Sequence, residues 1–135
     1  MKLESRQLKE SDWETLQSWW KAWGWPEMNK DLLPLNGLGG LIIEKEGKPI
    51  ASGFLYLTNA KVAWTEWIVS DHEYREFDRP DAIKMVIEGL EKVAIQAGCT
   101  IVLSVGRNKG LLKIHKELGY TVDDNPSYEI SKKIV

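Results

Sequence analysis

The apolar positions of this chain change period several times, and these changes predict its elements in order. A stripe at helical spacing over residues 12–23 predicts a helix, and Gly24 marks its end. Alternating segments flank this helix, and those that follow it are joined by connections short enough for hairpins. The three segments that follow the helix therefore predict an antiparallel meander. The predicted strands are 2–8, 40–46, 50–58 and 61–70.

The second half of the chain mixes helical and strand patterns. An apolar stripe predicts a helix over residues 80–97 that Gly98 ends. The nearly all-apolar segment 100–105 predicts a strand buried on both faces. Two closing strands are expected at 120–122 and 128–134. The whole order predicts an α/β fold in a single domain of 135 residues.

Composition narrows the class of protein. Hydrophobic residues make up 43% and charged residues 28% of the chain, and the net charge is -2, an ordinary globular balance that gives no support to nucleic-acid binding. No apolar run approaches the roughly 20 residues that span a bilayer. The N-terminus lacks the apolar core of a signal peptide, so we expect no membrane segment and a cytoplasmic location. Cys99 is the only cysteine, and with two histidines far apart in sequence we expect no metal site.

Segment 108–120 has the clearest start and stop signals in the chain. Asn108 is a good N-cap because its side-chain oxygen can accept a free amide of the first turn. Gly119 is a good stop because glycine enters the left-handed region without strain. One face of the predicted helix over 108–118 carries Leu111, His115 and Leu118. We expect this face to be buried, although it holds a titratable group.

These residues carry a resemblance to a known family. The spacing of Asn108, Leu111, His115 and Gly119-Tyr120 resembles the last motif of the GNAT superfamily of N-acetyltransferases, in which a Tyr usually stands where this chain has His115. The predicted element order is similar to the GNAT fold along nearly the whole chain. The resemblance implies a mixed, mostly antiparallel sheet flanked by helices, and acetyl-CoA (CoA) as cofactor. It also implies that two neighbouring strands splay apart to admit the thioester arm.

The resemblance places the pyrophosphate loop at residues 71–82. The glycines usual in this loop are absent, and in this the chain resembles phage-encoded and environmental members of the family. Pro80 suits the first helical position, which would make Arg79 the N-cap residue. The groups implied to receive the phosphates are the side chains of Arg75 and Arg79 and the amides of Asp81 and Ala82. The acids that would oppose them are Asp71, Glu73, Glu76, Asp78 and Asp81.

The resemblance also implies roles for the strand before this loop. Ile68 and Val69 would contact the pantetheine arm through their backbones, and Asn108 either meets the same arm or acts only as a cap. Glu66 matches the position where the family often has a base. Because Glu66 alternates with Trp64 and Ile68, we expect it to face apolar neighbours, and burial would raise its pKa. The alternative is that Glu66 is a sheet-surface residue.

Two further positions have open roles. His115 would replace the tyrosine that donates a proton to the leaving thiolate, or it is simply a packed histidine on the helix face. The tryptophans after the first strand lie where the family builds its acceptor pocket, and they offer stacking surfaces. In the simpler interpretation Trp20 and Trp23 are core, and only Trp19 or Trp25 lines a cleft.

The sequence thus predicts an acetyl-CoA-dependent N-acetyltransferase that acts on an amine of a small molecule or a protein. The alternative is a non-catalytic GNAT-fold protein that serves as a protein-interaction or cofactor-binding module, because aromatic clusters also favour interfaces. A homodimer and a host-directed phage role remain open at this point.

Overall fold

Five strands form one mixed sheet in the order in which they occur along the chain. The computed structural model describes residues 2–135. Strands β1 to β4 pair antiparallel with one another in succession, whereas β5 pairs parallel to β4. The predicted meander and the mixed, mostly antiparallel sheet are both confirmed. The strands are β1 (Leu3–Gln7), β2 (Gly40–Lys45), β3 (Lys48–Leu57), β4 (Val62–Ser70) and β5 (Ile101–Ser104).

Helices cover both faces of this sheet. They are α1 (Trp13–Ala22), α2 (Arg79–Gln96) and α3 (Lys109–Glu117), and short 3-10 turns connect α1 to β2. Strand alternation sends neighbouring side chains to opposite faces, so Ile42 packs in the cluster around α1 while Ile43 packs in the cluster around α2. Ile114 of α3 joins the α2 cluster. The two faces of the sheet therefore have separate apolar cores.

The caps predicted for α3 are present. The side-chain oxygen of Asn108 accepts a hydrogen bond from the Leu111 amide at 2.8 Å. Gly119 follows the helix with a φ of 93°, the left-handed region that favours glycine. Short-range sequence signals fix this helix because both of its end groups are satisfied locally.

Three expectations for the periphery of the fold are wrong. β5 is not buried on both faces, because Ile101 and Leu103, which share one face, are 54% and 38% exposed, while Val102 packs against the α2 cluster on the other. Segments 120–122 and 128–134 are not strands. The apolar alternation of 128–134 meets no sheet partner among the described residues, so Ile130 and Ile134 stay in solvent. Trp23 is not a core residue but is 40% exposed, because it lies just past the last residue of α1.

Among residues 2–135, no helix is both long enough and apolar enough to cross a membrane. The predicted cytoplasmic location stays a prediction.

Candidate active site

β4 and β5 run side by side for only part of their length. Their pairing extends from Val62 opposite Ile101 to Thr65 opposite Ser104, and there β5 ends. β4 continues as far as Ser70 with β3 as its partner on the other side. Its backbone groups beyond Thr65 therefore face an edge that β5 does not cover. The pairing of β4 and β5 thus stops where the resemblance implied a gap between two neighbouring strands, and the gap itself stays a prediction.

A backbone irregularity marks the start of the uncovered part of β4. Trp67 has a φ of 60°, and the register with β3 shifts between Ser52 and Phe54, as in a β-bulge. A bulky residue is strained at positive φ. Its side chain is held firmly: the indole nitrogen of Trp67 donates to the Tyr56 hydroxyl at 2.9 Å, and the ring lies 6.1 Å from that of Trp25. The surrounding packing thus imposes this conformation.

The bulge changes which way the strand residues face. Glu66 lies opposite Phe54, a residue of the α1 cluster, while Ile68 packs in the α2 cluster. Regular alternation would put Trp67 on the α2 side, yet it packs with the α1 cluster. The expectation that Glu66 and Ile68 share a face is therefore wrong, because the extra residue of a bulge reverses the alternation.

Glu66 is a half-buried carboxyl group at the point where the pairing of β4 and β5 stops. Its side chain is 21% exposed, and burial raises its pKa above the ordinary value. Arg107, which follows the end of β5, places a guanidinium nitrogen 3.5 Å from the Glu66 carboxylate, and this positive charge opposes the rise in pKa. Arg107 also contacts Glu129 of the C-terminal segment. One arginine therefore bridges two carboxylates.

The Glu66 carboxylate opens into a cavity of about 480 Å³. Three aromatic side chains form its walls: Tyr56, Trp64 and Trp67. Arg107 and Glu129 line the cavity together with Glu66. Trp64 is 39% exposed and belongs to neither apolar cluster. An aromatic pocket with a buried acid can hold an organic cation and remove a proton from it.

Arg79 lies at the far end of the uncovered part of β4. Its Nε donates to the Ser70 hydroxyl at 2.9 Å, and its guanidinium lies 5.2 Å from the ring of Trp23. The indole nitrogen of Trp23 donates to the Ser70 carbonyl at 2.8 Å. Burial lowers the pKa of Arg79, and the charge of nearby Arg75 lowers it further. The two guanidiniums repel each other and would attract an anion, although the Asp71 carboxylate already offsets part of their charge at Arg79.

The most buried acid of the loop is turned away from these arginines. The Asp78 carboxylate accepts hydrogen bonds from Lys45 at 2.7 Å and from the Tyr74 hydroxyl at 2.5 Å, and both hold its pKa below the usual range. Asp71 accepts a hydrogen bond from the Glu73 amide at 3.0 Å, which fixes a local turn. Glu73 is exposed, as are Glu76 and Asp81. Two of the five acids thus already have protein partners.

The start of α2 differs slightly from its prediction. Arg79 is the first helical residue, and Asp78 is the N-cap. The Ala82 amide donates to the Asp78 carbonyl at 3.1 Å, so the prediction of a free Ala82 amide is wrong. Pro80 has no amide hydrogen. This leaves the Asp81 amide without a backbone partner among residues 2–135.

His115 is a buried residue of α3. It is 4% exposed, and its Nδ1 donates to the Leu111 carbonyl at 2.8 Å. Its ring meets that of Tyr120 edge-on at 4.9 Å. Nε2 is buried and has no hydrogen-bond partner among the described residues. His115 does not line the Glu66 cavity.

The tryptophans predicted to form the acceptor pocket lie elsewhere. Trp19 is 5% exposed and belongs to the core around α1, which leaves it almost no surface for a ligand. Trp25 is half-buried, and its ring packs against that of Trp67. Neither of them lines the Glu66 cavity, whose aromatic walls come from β3 and β4 instead. No group of three or more His, Cys, Asp and Glu side chains within residues 2–135 could hold a metal ion.

Sequence reasoning did not select Arg107 or Tyr56 as site residues. A signal for Arg107 was available, because parallel strands end at the same edge of a sheet. The residues after β5 must therefore lie near the part of β4 that begins at Glu66. Tyr56 gave no such signal, since its place opposite Trp64 depends on the register between β3 and β4.

Several solved acetyltransferases have this fold. An acetyltransferase of Trypanosoma brucei superposes with a TM-score of 0.66 at 18% identity, covering 96% of this chain and 100% of its own. An aminoglycoside acetyltransferase from an uncultured soil metagenomic sample, in complex with trehalose, gives 0.71 at 13% identity, covering 98% and 97%. An aminoglycoside N-acetyltransferase in complex with CoA gives 0.67 at 17% identity, covering 98% and 96%.

No protein-family model matches the sequence, and no curated protein matches it. At these low identities the solved structures establish the fold alone. The chain has the fold of the GNAT acetyltransferases, as the sequence resemblance predicted. None of the three is described as a phage protein, so the likeness to phage-encoded members stays a prediction.

Proposed function

We propose that this chain is an acetyl-CoA-dependent N-acetyltransferase that acts on an amine acceptor. The observation that carries the proposal is the position of Glu66, a half-buried carboxylate at the point where the pairing of β4 and β5 stops. A general base is most effective when its pKa lies near the working pH, and burial moves the pKa of Glu66 in that direction. The fold of known acetyltransferases supports the same assignment.

The residues along the uncovered part of β4 fit the cofactor. The backbones of Ile68 and Val69 would hold the pantetheine arm, because this edge of β4 has no β5 neighbour. Arg75 and Arg79 would receive the phosphates, and an anion would offset both the burial and the Arg75 charge that lower the pKa of Arg79. The Asp81 amide would add one donor at the start of α2. Bound acetyl-CoA supplies the activated acetyl group.

Proton transfer falls to Glu66. The acceptor enters as an ammonium ion, and its nitrogen can attack only after losing a proton, which the Glu66 carboxylate takes. The new carbon–nitrogen bond would replace the carbon–sulfur bond, and the second proton lost by the nitrogen would pass to the departing thiolate, so that a neutral thiol is released. Arg107 keeps the pKa of Glu66 from rising further, so that the carboxylate is available.

His115 is the second catalytic candidate. Its Nδ1 donates to the Leu111 carbonyl, so Nε2 is the nitrogen that would act, although it is buried and does not line the Glu66 cavity. A thiol is a good leaving group, and transfer can proceed without an acid at this position. We therefore expect His115→Ala to reduce acetylation less than Glu66→Gln does. An equal or larger loss would make His115 the principal proton-transfer residue.

The test of cofactor binding is thermal unfolding with and without acetyl-CoA. At about 100 times its Kd, acetyl-CoA should add about 2.7 kcal/mol to the free energy of unfolding. Arg79→Gln should reduce the shift, and Ile95→Ala, an exposed change at the far end of α2, should not. An unchanged melting temperature at millimolar acetyl-CoA would contradict the proposal.

A second candidate function is a non-catalytic interaction module. The observation in its favour is a set of exposed aromatic and apolar residues, which include Phe77 at 90% and Trp64 at 39% exposure. Aromatic side chains are enriched at interfaces. If no amine in a broad panel is acetylated, and neither Glu66→Gln nor His115→Ala changes anything except stability, the interaction function is the correct one. A homodimer and a cytoplasmic location stay predictions under either function.

A further inference from the structure

Given the proposed acetyl transfer, we propose that the acceptor is a singly charged primary amine with a flat aromatic body. It would bind in the cavity that Glu66 shares with the aromatic walls, its ammonium group toward the carboxylate and its ring between the tryptophans. The proposal excludes polyamine cations and polyhydroxylated amino sugars as preferred acceptors.

The shape and chemistry of the cavity walls carry the first part of the argument. Tyr56 and Trp64 lie directly opposite each other on β3 and β4, so their side chains stand on the same face of the sheet. Trp67 adds a third ring, fixed by its hydrogen bond to the Tyr56 hydroxyl. Rigid aromatic walls favour a ligand with a flat face.

Trp64 lies between Tyr56 and Leu103 on the neighbouring strands but keeps a large part of its indole in water. It is 39% exposed, lies outside both apolar clusters, and has no ring partner among the described residues. Exposing an indole to water gives no stability to the fold. A ligand that covers its face would supply that missing contact, because an ammonium or an aromatic ring is attracted to indole.

The charge of the cavity sets the charge of the ligand. Its charged groups are Glu66, Glu129 and Arg107, which together carry one net negative charge. Arg107 bridges the two carboxylates. One ammonium group neutralises the net negative charge of the cavity. A second cationic group would find no free carboxylate there and would be repelled by the Arg107 guanidinium. The electrostatics therefore favour a monoamine over spermidine or an aminoglycoside.

The experiment measures amine binding by calorimetry in the absence of acetyl-CoA. The probes are phenethylamine, ethylamine as its counterpart without a ring, spermidine and kanamycin. We expect phenethylamine to bind more tightly than the other three. Tighter binding of spermidine or kanamycin, or equal binding of phenethylamine and ethylamine, would overturn the proposal.

Variants of Trp64 sharpen the test. Trp64→Ala should weaken phenethylamine binding about fivefold, as expected for loss of one cation–π or stacking contact, and should leave ethylamine nearly unchanged. Trp64→Leu keeps apolar area but removes the π face, so it should recover only part of the affinity. Ile95→Ala changes an apolar side chain that is also exposed but does not line the cavity, and it should have no effect. Equal affinities in the parent and both Trp64 variants would refute the role of this residue.

Failure of this inference can be told apart from failure of the proposed function. If acetyl-CoA stabilises the protein and spermidine is acetylated faster than phenethylamine, the transferase stands and the acceptor class is wrong. If phenethylamine binds as expected but is never acetylated at saturating acetyl-CoA, the pocket stands and the transferase is wrong. Thermal unfolding of each Trp64 variant checks that the fold is intact.

Discussion

The two halves of β4 differ in almost every respect. Val62 to Thr65 lies between β3 and β5, is regular, and leaves Ala63 and Thr65 fully buried. The half from Glu66 to Ser70 has no β5 neighbour, contains the strained Trp67, and starts with a half-buried carboxylate. Apart from Trp64, which lines the Glu66 cavity, the first half serves the stability of the sheet, and we propose that the second half serves the site.

The strained half is stable only because its surroundings compensate. A bulky residue at positive φ costs about 1–3 kcal/mol. The indole of Trp67 recovers this through its hydrogen bond to Tyr56 and its packing against the rings of Trp20 and Trp25. Strain held in place by aromatic packing is consistent with a position selected for its backbone geometry.

The largest expected effect is on the chemistry of the irregular half. Glu66→Gln keeps the shape of the side chain but removes the base, so the rate of acetylation should fall about 10²- to 10⁴-fold. The free energy of unfolding should not decrease, because a half-buried charge is removed. A steady-state assay with a reactive amine and a urea melt measure the two quantities. A rate within a few-fold of the parent would show that Glu66 is not the base.

In the regular half we expect a loss of stability without a loss of activity. Ala63 is fully buried under the α2 cluster, so Ala63→Leu should overpack it and lower the free energy of unfolding by about 1–3 kcal/mol. Acetylation per folded molecule should be unchanged below the melting temperature. If Ala63→Leu instead abolished activity in folded protein, the proposed division of β4 into a structural and a functional half would fail.

A smaller effect is expected at the far end of the strand. Arg79→Gln removes a charge-assisted contact to the phosphates and should weaken acetyl-CoA binding about tenfold. Arg75 is more exposed, so the matched variant Arg75→Gln should have a smaller effect. Isothermal titration of both variants with acetyl-CoA gives the comparison. Equal affinities in the parent and Arg79→Gln would place the phosphates elsewhere.

The smallest effect is a shift in pH dependence. If Glu66 acts as base, activity rises with pH as its carboxyl group loses its proton. Arg107 lowers the pKa of Glu66, so Arg107→Gln should move this rising limb to higher pH. Arg107→Lys keeps the positive charge and should leave the limb near its original position. A pH–rate profile of kcat/KM measures the shift. If the rising limb of Arg107→Gln stays at the pH of the parent, Arg107 does not influence the pKa of the base.

Local signals explain which parts of the fold could be predicted from the sequence. Asn108 and Gly119 define the ends of α3 because each acts on backbone groups within a few residues. The hairpins of the meander were equally clear, since their connections are too short for another topology. These elements fixed the order of the sheet and placed Glu66 on the correct strand.

Non-local packing explains the errors. The sequence around Trp67 does not predict a bulge, because the backbone conformation of Trp67 depends on contacts with Tyr56 and Trp25 from other elements. The prediction that Glu66 and Ile68 share one face of the sheet was therefore wrong. Trp23 looked like core by periodicity, but α1 ends at Ala22, and the indole reaches Ser70 instead.

Trp23 also gives the protein an optical probe of its own. Its indole donates to the Ser70 carbonyl, faces the Arg79 guanidinium and meets the ring of His72 at 4.7 Å. Any anion that draws Arg79 away would alter the polarity around this indole, and indole emission responds to polarity. Binding of the acetyl-CoA phosphates at the start of α2 should therefore change the intrinsic fluorescence of the protein. The Trp23→Phe variant, which lacks this indole, is the control and should not show that change.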